Sequence, residues 1–189
     1  MEPSRSRARP RAPPPAADAL TSLPAHLLDD ILTRLCLRDA VRTSALARAW
    51  RRRWESLPTL PLSFLDRPRT RAAVVDSVLI RHTGRVSRFS FDFGLQRADR
   101  LGDWPIALSR RGVESIDLRC NFHFKLHSSI FSCGQLVSLE LCRCSIPPLP
   151  AGFAGFPLLE ELNLIDVQFP ENGGSQMDAI LVDHPCLAY

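Results

Sequence analysis

The sequence predicts an α+β chain: a three-helix module followed by a short solenoid of parallel strands joined by irregular or helical connectors. Two observations predict it. Residues 20–57 carry apolar side chains at helical spacing in three successive runs, and from Val113 onward one nine-residue pattern returns every 23 residues. A third observation sets the scale, since 189 residues with 45% hydrophobic content hold one domain and a smaller second one.

Residues 1–17, MEPSRSRARPRAPPPAA, alternate Arg with Ser, Ala and Pro without any apolar period, so they read as a disordered arm. A transit peptide is likewise rich in Arg and poor in acids, but five prolines oppose the amphipathic helix it needs. Arg5, Arg7, Arg9 and Arg11 are spaced, whereas a nuclear-import signal clusters its charges.

In the module at 18–57, Pro24 suits a first helical position because its missing N–H is unbonded there anyway, and Leu28, Ile31, Leu32 and Leu35 follow as one apolar stripe. Asp39 can cap a second helix with apolar positions Ala40, Val41, Ala45 and Leu46. A third helix carries Trp50 and Trp54 four residues apart. So short a segment cannot bury all of this alone, so several of these side chains must be covered by the next part of the chain or by a partner.

The pattern Leu23-Pro24, Leu27-Leu28, Ile31, Leu35, Asp39, Val41, Ser44, Leu46, Trp50-Arg51 and Trp54 resembles the F-box, the module that docks onto the Skp-type adaptor of cullin ubiquitin ligases. Ala47 and Ala49 depart from it, standing where a cap-forming serine and a basic residue are common. The resemblance implies that Leu23, Pro24, Leu27, Leu28, Ile31, Leu35, Val41, Trp50 and Trp54 bind the adaptor.

Residues 58–84 read as a linker, punctuated by Pro58, Pro61 and Pro68, and a helix over 69–83. That helix places Val75, Val78, Leu79 and His82 at helical spacing, with Gly84 as a left-handed C-terminal cap. The array, 85–189, opens with a strand at 85–91, RVSRFSF, and a short helix near Pro105 to Arg111 that stops at Gly112.

The repeats are VESIDLRCN from 113, LVSLELCRC from 136 and LEELNLIDV from 159. Each fits L-x-x-L-x-L-x-x-N/C: Val113, Ile116, Leu118, Asn121; Leu136, Leu139, Leu141, Cys144; Leu159, Leu162, Leu164, Val167. Val86, Phe89, Phe91 and Gly94 form a degenerate copy. The two central apolar residues of each strand point inward and the residue between them outward, and stacked neighbours share one core. This resembles a leucine-rich repeat array, and its combination with an F-box resembles the large plant class of F-box substrate receptors. That resemblance implies an adaptor without catalysis or cofactor, joining a Skp-type adaptor and, through it, cullin to a protein substrate held on the repeats. A non-degradative interaction role with the same adaptor is the alternative within this class.

Asp117, Glu140 and Asn163 fall at equivalent outward positions, flanked by Ser115, Ser138 and Glu161 and by Arg119, Cys142 and Ile165. Asp117, Arg119, Glu140, Glu161 and Asn163 are therefore the candidate substrate contacts, against the plainer reading of a solvated charged face. At the end, His184-Pro185-Cys186-Leu187 looks like the opening Pro157-Leu158-Leu159 one repeat later, yet only Ala188 and Tyr189 follow, so the array is expected to be incomplete at its C-terminus.

Net charge is +4, but residues 1–53 contribute +6, residues 54–112 +4 and residues 113–189 −6, which suggests two partners of opposite sign. Among the basic residues only Lys125 is a lysine. A rival class reads the first two helices as a helix-turn-helix with Arg48, Arg51, Arg52 and Arg53 on DNA phosphates. Against it, the two tryptophans suit packing or an interface, whereas a recognition helix wants polar side chains, so no nucleic acid is expected. No run approaches eighteen apolar residues and the N-terminus lacks an apolar signal core. The expectation is a chain without a membrane partner in the cytoplasm and/or nucleus.

The six cysteines show no C-x-x-C pair and read as reduced thiols. Cys120, His123, His127 and Cys133 are zinc-loving types, but they span a repeat connector at a spacing that fits no familiar finger, so no metal is expected. There is no G-x-S-x-G, P-loop, H-E-x-x-H or Gly-rich dinucleotide turn, hence no expected catalytic residue.

Overall fold

In the computed structural model, which describes residues 23–46, 48–65, 70–94, 103–170 and Ile180, the first segment forms two α-helices, not three. Helix α1 (Ala25–Thr33) starts one residue later than the sequence suggests. Pro24 stands outside it as cap, its carbonyl accepting from the N–H groups of Leu27 (3.1 Å) and Leu28 (3.3 Å). Helix α2 (Leu37–Arg42) is capped by Cys36 rather than Asp39, which lies in the first turn, where a carboxylate suits the helix dipole. The expected third helix is instead a pair of 3₁₀ turns, Arg48–Trp50 and Arg53–Ser56, because Arg52 between them takes a left-handed φ of 61° that no α-helix contains. Trp50 and Trp54 still both reach the core.

The expected linker contains a strand. β1 (Leu62–Ser63) pairs in parallel with β2 (Arg88–Asp92), Leu62 opposite Phe89. Only two residues long and at the sheet edge, it tolerates the neighbouring Pro61 that hid it in the sequence. Helix α3 (Ala72–Arg81) buries Val75, Val78 and Leu79 and ends at His82 in extended conformation. Gly84 is not the left-handed cap; its φ lies outside that region.

Beyond β2 come α4 (Asp103–Ser109), β3 (Ser115–Arg119), β4 (Phe124–Lys125), a 3₁₀ turn (Ser128–Ser132), β5 (Ser138–Cys142), β6 (Cys144–Ser145) and β7 (Glu161–Ile165). Gly112, after α4, takes the left-handed conformation, φ 62°, that a chain reversal there requires. One five-stranded parallel sheet runs β1-β2-β3-β5-β7, and its register follows the repeat: Phe89, Ile116, Leu139 and Leu162 in one row, Phe91, Leu118, Leu141 and Leu164 in another. A second ladder pairs β4 with β6, Phe124 opposite Cys144. Cys144 is therefore a buried strand residue, and the left-handed turn before it falls on Arg143 (φ 57°), with Asp166 (φ 53°) equivalent in the next repeat.

The inward rows pack against the helical connectors. Phe64, Phe89, Phe91, Phe93, Phe124 and Trp104 of α4 form one aromatic cluster with centroids 4.6 to 6.2 Å apart. Trp104 Nε1 donates to Asp76 of α3 at 2.7 Å. One continuous core runs from Leu28 and Leu32 of α1 to Leu159 and Ile180.

Candidate protein-interaction surfaces

Helix α1 presents two apolar ridges, because Leu27, Leu28, Ile31 and Leu32 form two i, i+4 pairs one residue apart. Leu28 and Leu32 face the core; Leu27 and Ile31 face solvent, 41% and 38% exposed. Val41 (36%) and Leu46 (60%) add to the exposed apolar surface. Of the nine residues expected to bind a partner, Pro24, Leu27, Ile31 and Val41 are thus exposed, Leu23 and Leu35 are partly buried, and Leu28, Trp50 and Trp54 are core side chains. Leu46, part of the F-box pattern but not among those nine, is more exposed than Leu27, Ile31 or Val41.

Polar contacts hold this module in place. Arg53 grips Asp29 with two parallel bonds, Nε to Oδ1 at 2.7 Å and Nη2 to Oδ2 at 3.0 Å, and also donates to the Ala25 carbonyl. Arg52 donates to the buried Glu55 carboxylate at 2.9 Å. Two of the arginines proposed for phosphate are thus engaged inside the chain.

The module joins the sheet through polar contacts at the end of α3. Arg81 donates to Glu55 through Nε (2.8 Å) and Nη2, and its guanidinium carbon lies 5.4 Å from the Trp54 ring centre. His82, fully buried, sets its ring nitrogens 3.1 Å from the Trp54 carbonyl oxygen and 3.2 Å from that of Arg85. Thr83 donates to the Glu55 carbonyl from N–H and hydroxyl.

On the face of the sheet opposite the inward apolar rows, Asp117, Glu140 and Asn163 line up in register with Ser90, which is itself buried, across four strands. Arg119 bridges the two acids: Nε and Nη2 lie 2.9 and 3.1 Å from the Asp117 carboxylate, and Nη2 lies 3.0 Å from Glu140 Oε1. The hydrogen bond with Asp117 raises the Arg119 guanidinium above its usual range. Asp92, opposite Arg119 on β2, accepts instead from the Gly94 N–H. The structure therefore brings Asp117, Arg119 and Glu140 together, while Glu161 and Asn163 stand exposed on β7.

The zinc-loving side chains separate. Cys133 Sγ donates to the Pro105 carbonyl, His127 caps the 128–132 turn by accepting from the Ser129 N–H, and His123 faces Asp166 at 3.4 Å. Cys120 is buried. Among the described residues no three His, Cys, Asp or Glu converge. Burial pushes the Cys133 and Cys144 thiols up to about 12. Among the described residues no helix is long and apolar enough to cross a membrane. The arm at 1–17, Cys186 and the expected opening at 184–187 lie outside the described residues.

Two family models match the chain: the F-box domain over residues 20–61, and the leucine-rich repeats of FBD-associated F-box protein At5g56370 over residues 101–188. Relatives from Arabidopsis thaliana include F-box/FBD/LRR-repeat protein At1g13570, 35% identical over 78% of this chain and 38% of the relative. F-box/FBD/LRR-repeat protein At1g51370 is 31% identical over 81% and 36%, and F-box/LRR-repeat protein 13 is 29% identical over 90% and 40%. The chain thus spans 36% to 40% of the length of these three relatives. No solved structure matches.

Proposed function

The chain belongs to the F-box proteins that carry leucine-rich repeats, and from that premise we propose that it is a substrate-recognition subunit of a Skp-cullin-F-box ubiquitin ligase. One observation carries the reading most: the F-box exposes Leu27, Ile31, Val41 and Leu46 while Leu28, Leu32 and Ala40 already fill its core. Apolar side chains that the chain itself does not cover suit a desolvated protein interface, here with the Skp-type adaptor. Residues 85–189 would form a repeat solenoid whose open face, with Asp117, Arg119, Glu140, Glu161 and Asn163, receives a protein substrate. The chain would contribute proximity and no catalytic group, raising the concentration of a substrate amine near the ubiquitin-loaded conjugating enzyme. Cytoplasm and nucleus are both compatible with that role.

The test is co-expression with a Skp-type adaptor and the adaptor-binding part of a cullin. The expected result is one complex in size-exclusion chromatography, lost in Leu27→Asp/Ile31→Asp while the far-ultraviolet circular dichroism is unchanged. A folded chain that ignores the adaptor would overturn the reading.

A further inference from the structure

The acidic end of the face opposite the inward apolar rows is only half neutralised. Arg119 engages both oxygens of Asp117 and Oε1 of Glu140, while Glu140 Oε2 and the exposed Glu161 carboxylate have no partner among the described residues. Glu161 lies opposite Ser138, two positions before Asn163, which lies opposite Glu140. From strand spacing and rise, the Glu140 and Glu161 positions are roughly 8 Å apart. Neither β5 nor β7 carries a basic residue.

The chain's own N-terminal stretch carries the complementary pattern. In SRSRARPR, residues 4–11, Arg5, Arg7, Arg9 and Arg11 alternate with Ser, Ala and Pro. Two residues is the side-chain period of an extended chain, so such a segment turns all four guanidiniums to one side, about 6.7 Å from one to the next. Pro10 suits it, because its fixed φ belongs to extended backbone. Each guanidinium fork matches a carboxylate with two parallel bonds. Reach is ample: Leu23 is 18 residues beyond Arg5, up to ~60 Å of extended chain, against ~20 Å across the five strands. We propose that residues 4–11 occupy the Glu140 and Glu161 face of their own chain and compete there with substrate, an inference that rests on reading this face as the substrate site. An internal occupant acts at an effective concentration of order ~1 mM, so an arm whose free peptide binds with a Kd of ~100 µM weakens any competitor about tenfold. Only cargo at least as basic as the arm displaces it. Residues 1–17 supply +3 (four Arg less Glu2) of the +6 in residues 1–53, so part of the charge segregation pairs within the chain.

The probe is a fluorescein-labelled peptide of residues 1–17, titrated by anisotropy at low salt into the full chain, alone and on its adaptor. The wild type is compared with Arg5→Gln/Arg7→Gln/Arg9→Gln/Arg11→Gln, whose own arm has lost its charge. The expected result is binding about tenfold tighter to that variant, abolished when Glu161→Lys, a change at an exposed position, is added. Equal affinity for the two proteins overturns the proposal, as does a peptide that ignores both, or binding that Glu161→Lys leaves undiminished. A wild type that self-associates with concentration while the uncharged-arm variant stays monomeric gives the arm to a second copy and overturns the internal contact. In each of these cases adaptor retention is unchanged and the receptor reading stands. A chain that holds no adaptor overturns that reading, and the competition with it.

Discussion

Gly84 rests against the main-chain carbonyl of Leu57 so closely that a Cβ there would stand 1.9 Å from the oxygen. The contact lies where the F-box ends and the sheet begins, and the Arg85 N–H donates to the Pro58 carbonyl (2.9 Å) beside it. Because the obstacle is backbone, Gly84→Ala must shift one strand of chain or the other. The expected loss is about 1 to 3 kcal/mol, the range for overpacking, read from denaturant unfolding. An unchanged midpoint would mean that the junction yields freely.

The split between buried and exposed F-box side chains separates two effects that would otherwise be confused. Leu28→Ala and Trp50→Ala empty core space and should cost about 2 to 5 kcal/mol of stability. Ile31→Ala and Leu46→Ala should leave stability within about 0.5 kcal/mol yet weaken adaptor binding by ~1 to 2 kcal/mol. Calorimetric titration beside thermal melts reads both. The pattern fails if Ile31→Ala and Leu46→Ala bind as wild type.

Asp117 and Glu140 are register partners on adjacent strands, about 4.8 Å apart by ordinary sheet spacing. Without Arg119, two carboxylates at that distance repel by about 0.9 kcal/mol even in water. Arg119→Ala should therefore bare an acidic pair and tighten binding of an arginine-rich peptide, whereas Asp117→Lys/Glu140→Lys should abolish it. Fluorescence anisotropy with one labelled peptide measures all three proteins. Equal affinities would leave this face as solvated surface only.

The Cys133 and Cys144 thiols, held up to about 12 by burial against an ordinary 9.0, tie stability to alkaline pH. Below pH 9 both states keep these protons, so the contribution is fully present. Between pH 9 and about 12 the unfolded thiols ionise while the folded ones do not, so stability falls through that window. Replacing both by Ala should flatten the decline measured by denaturant unfolding. At pH 8 an alkylating reagent should mark the exposed Cys36 well before either buried thiol.

The sheet was legible because a 23-residue spacing fixes which residues meet, and Asp117, Glu140 and Asn163 do lie side by side. Helical periodicity was less informative in α1. Leu27-Leu28 and Ile31-Leu32 describe two equivalent ridges, and only the rest of the chain decides which one is buried. The third helix failed on one residue, Arg52, whose left-handed φ has no local signal in a run of three arginines. β1 was concealed because a two-residue edge strand between prolines resembles a linker. The requirement for Gly84 comes from Leu57, 27 positions away, and no neighbour in sequence announces it.

The joint made by the buried Glu55 and His82 with the exposed Arg81 gives the molecule the mechanics of a bracket and not of a tether. With both His82 ring nitrogens against carbonyls of the two halves it joins, the sheet cannot swivel on the F-box without uncovering a buried imidazole. In the proposed assembly, cargo on the open face would keep a fixed bearing toward the ubiquitin donor. All the slack needed to bring an amine across the gap must then lie in the cargo or in the cullin arm, so a compact cargo with its lysines on the wrong side would be held tightly and left unmarked.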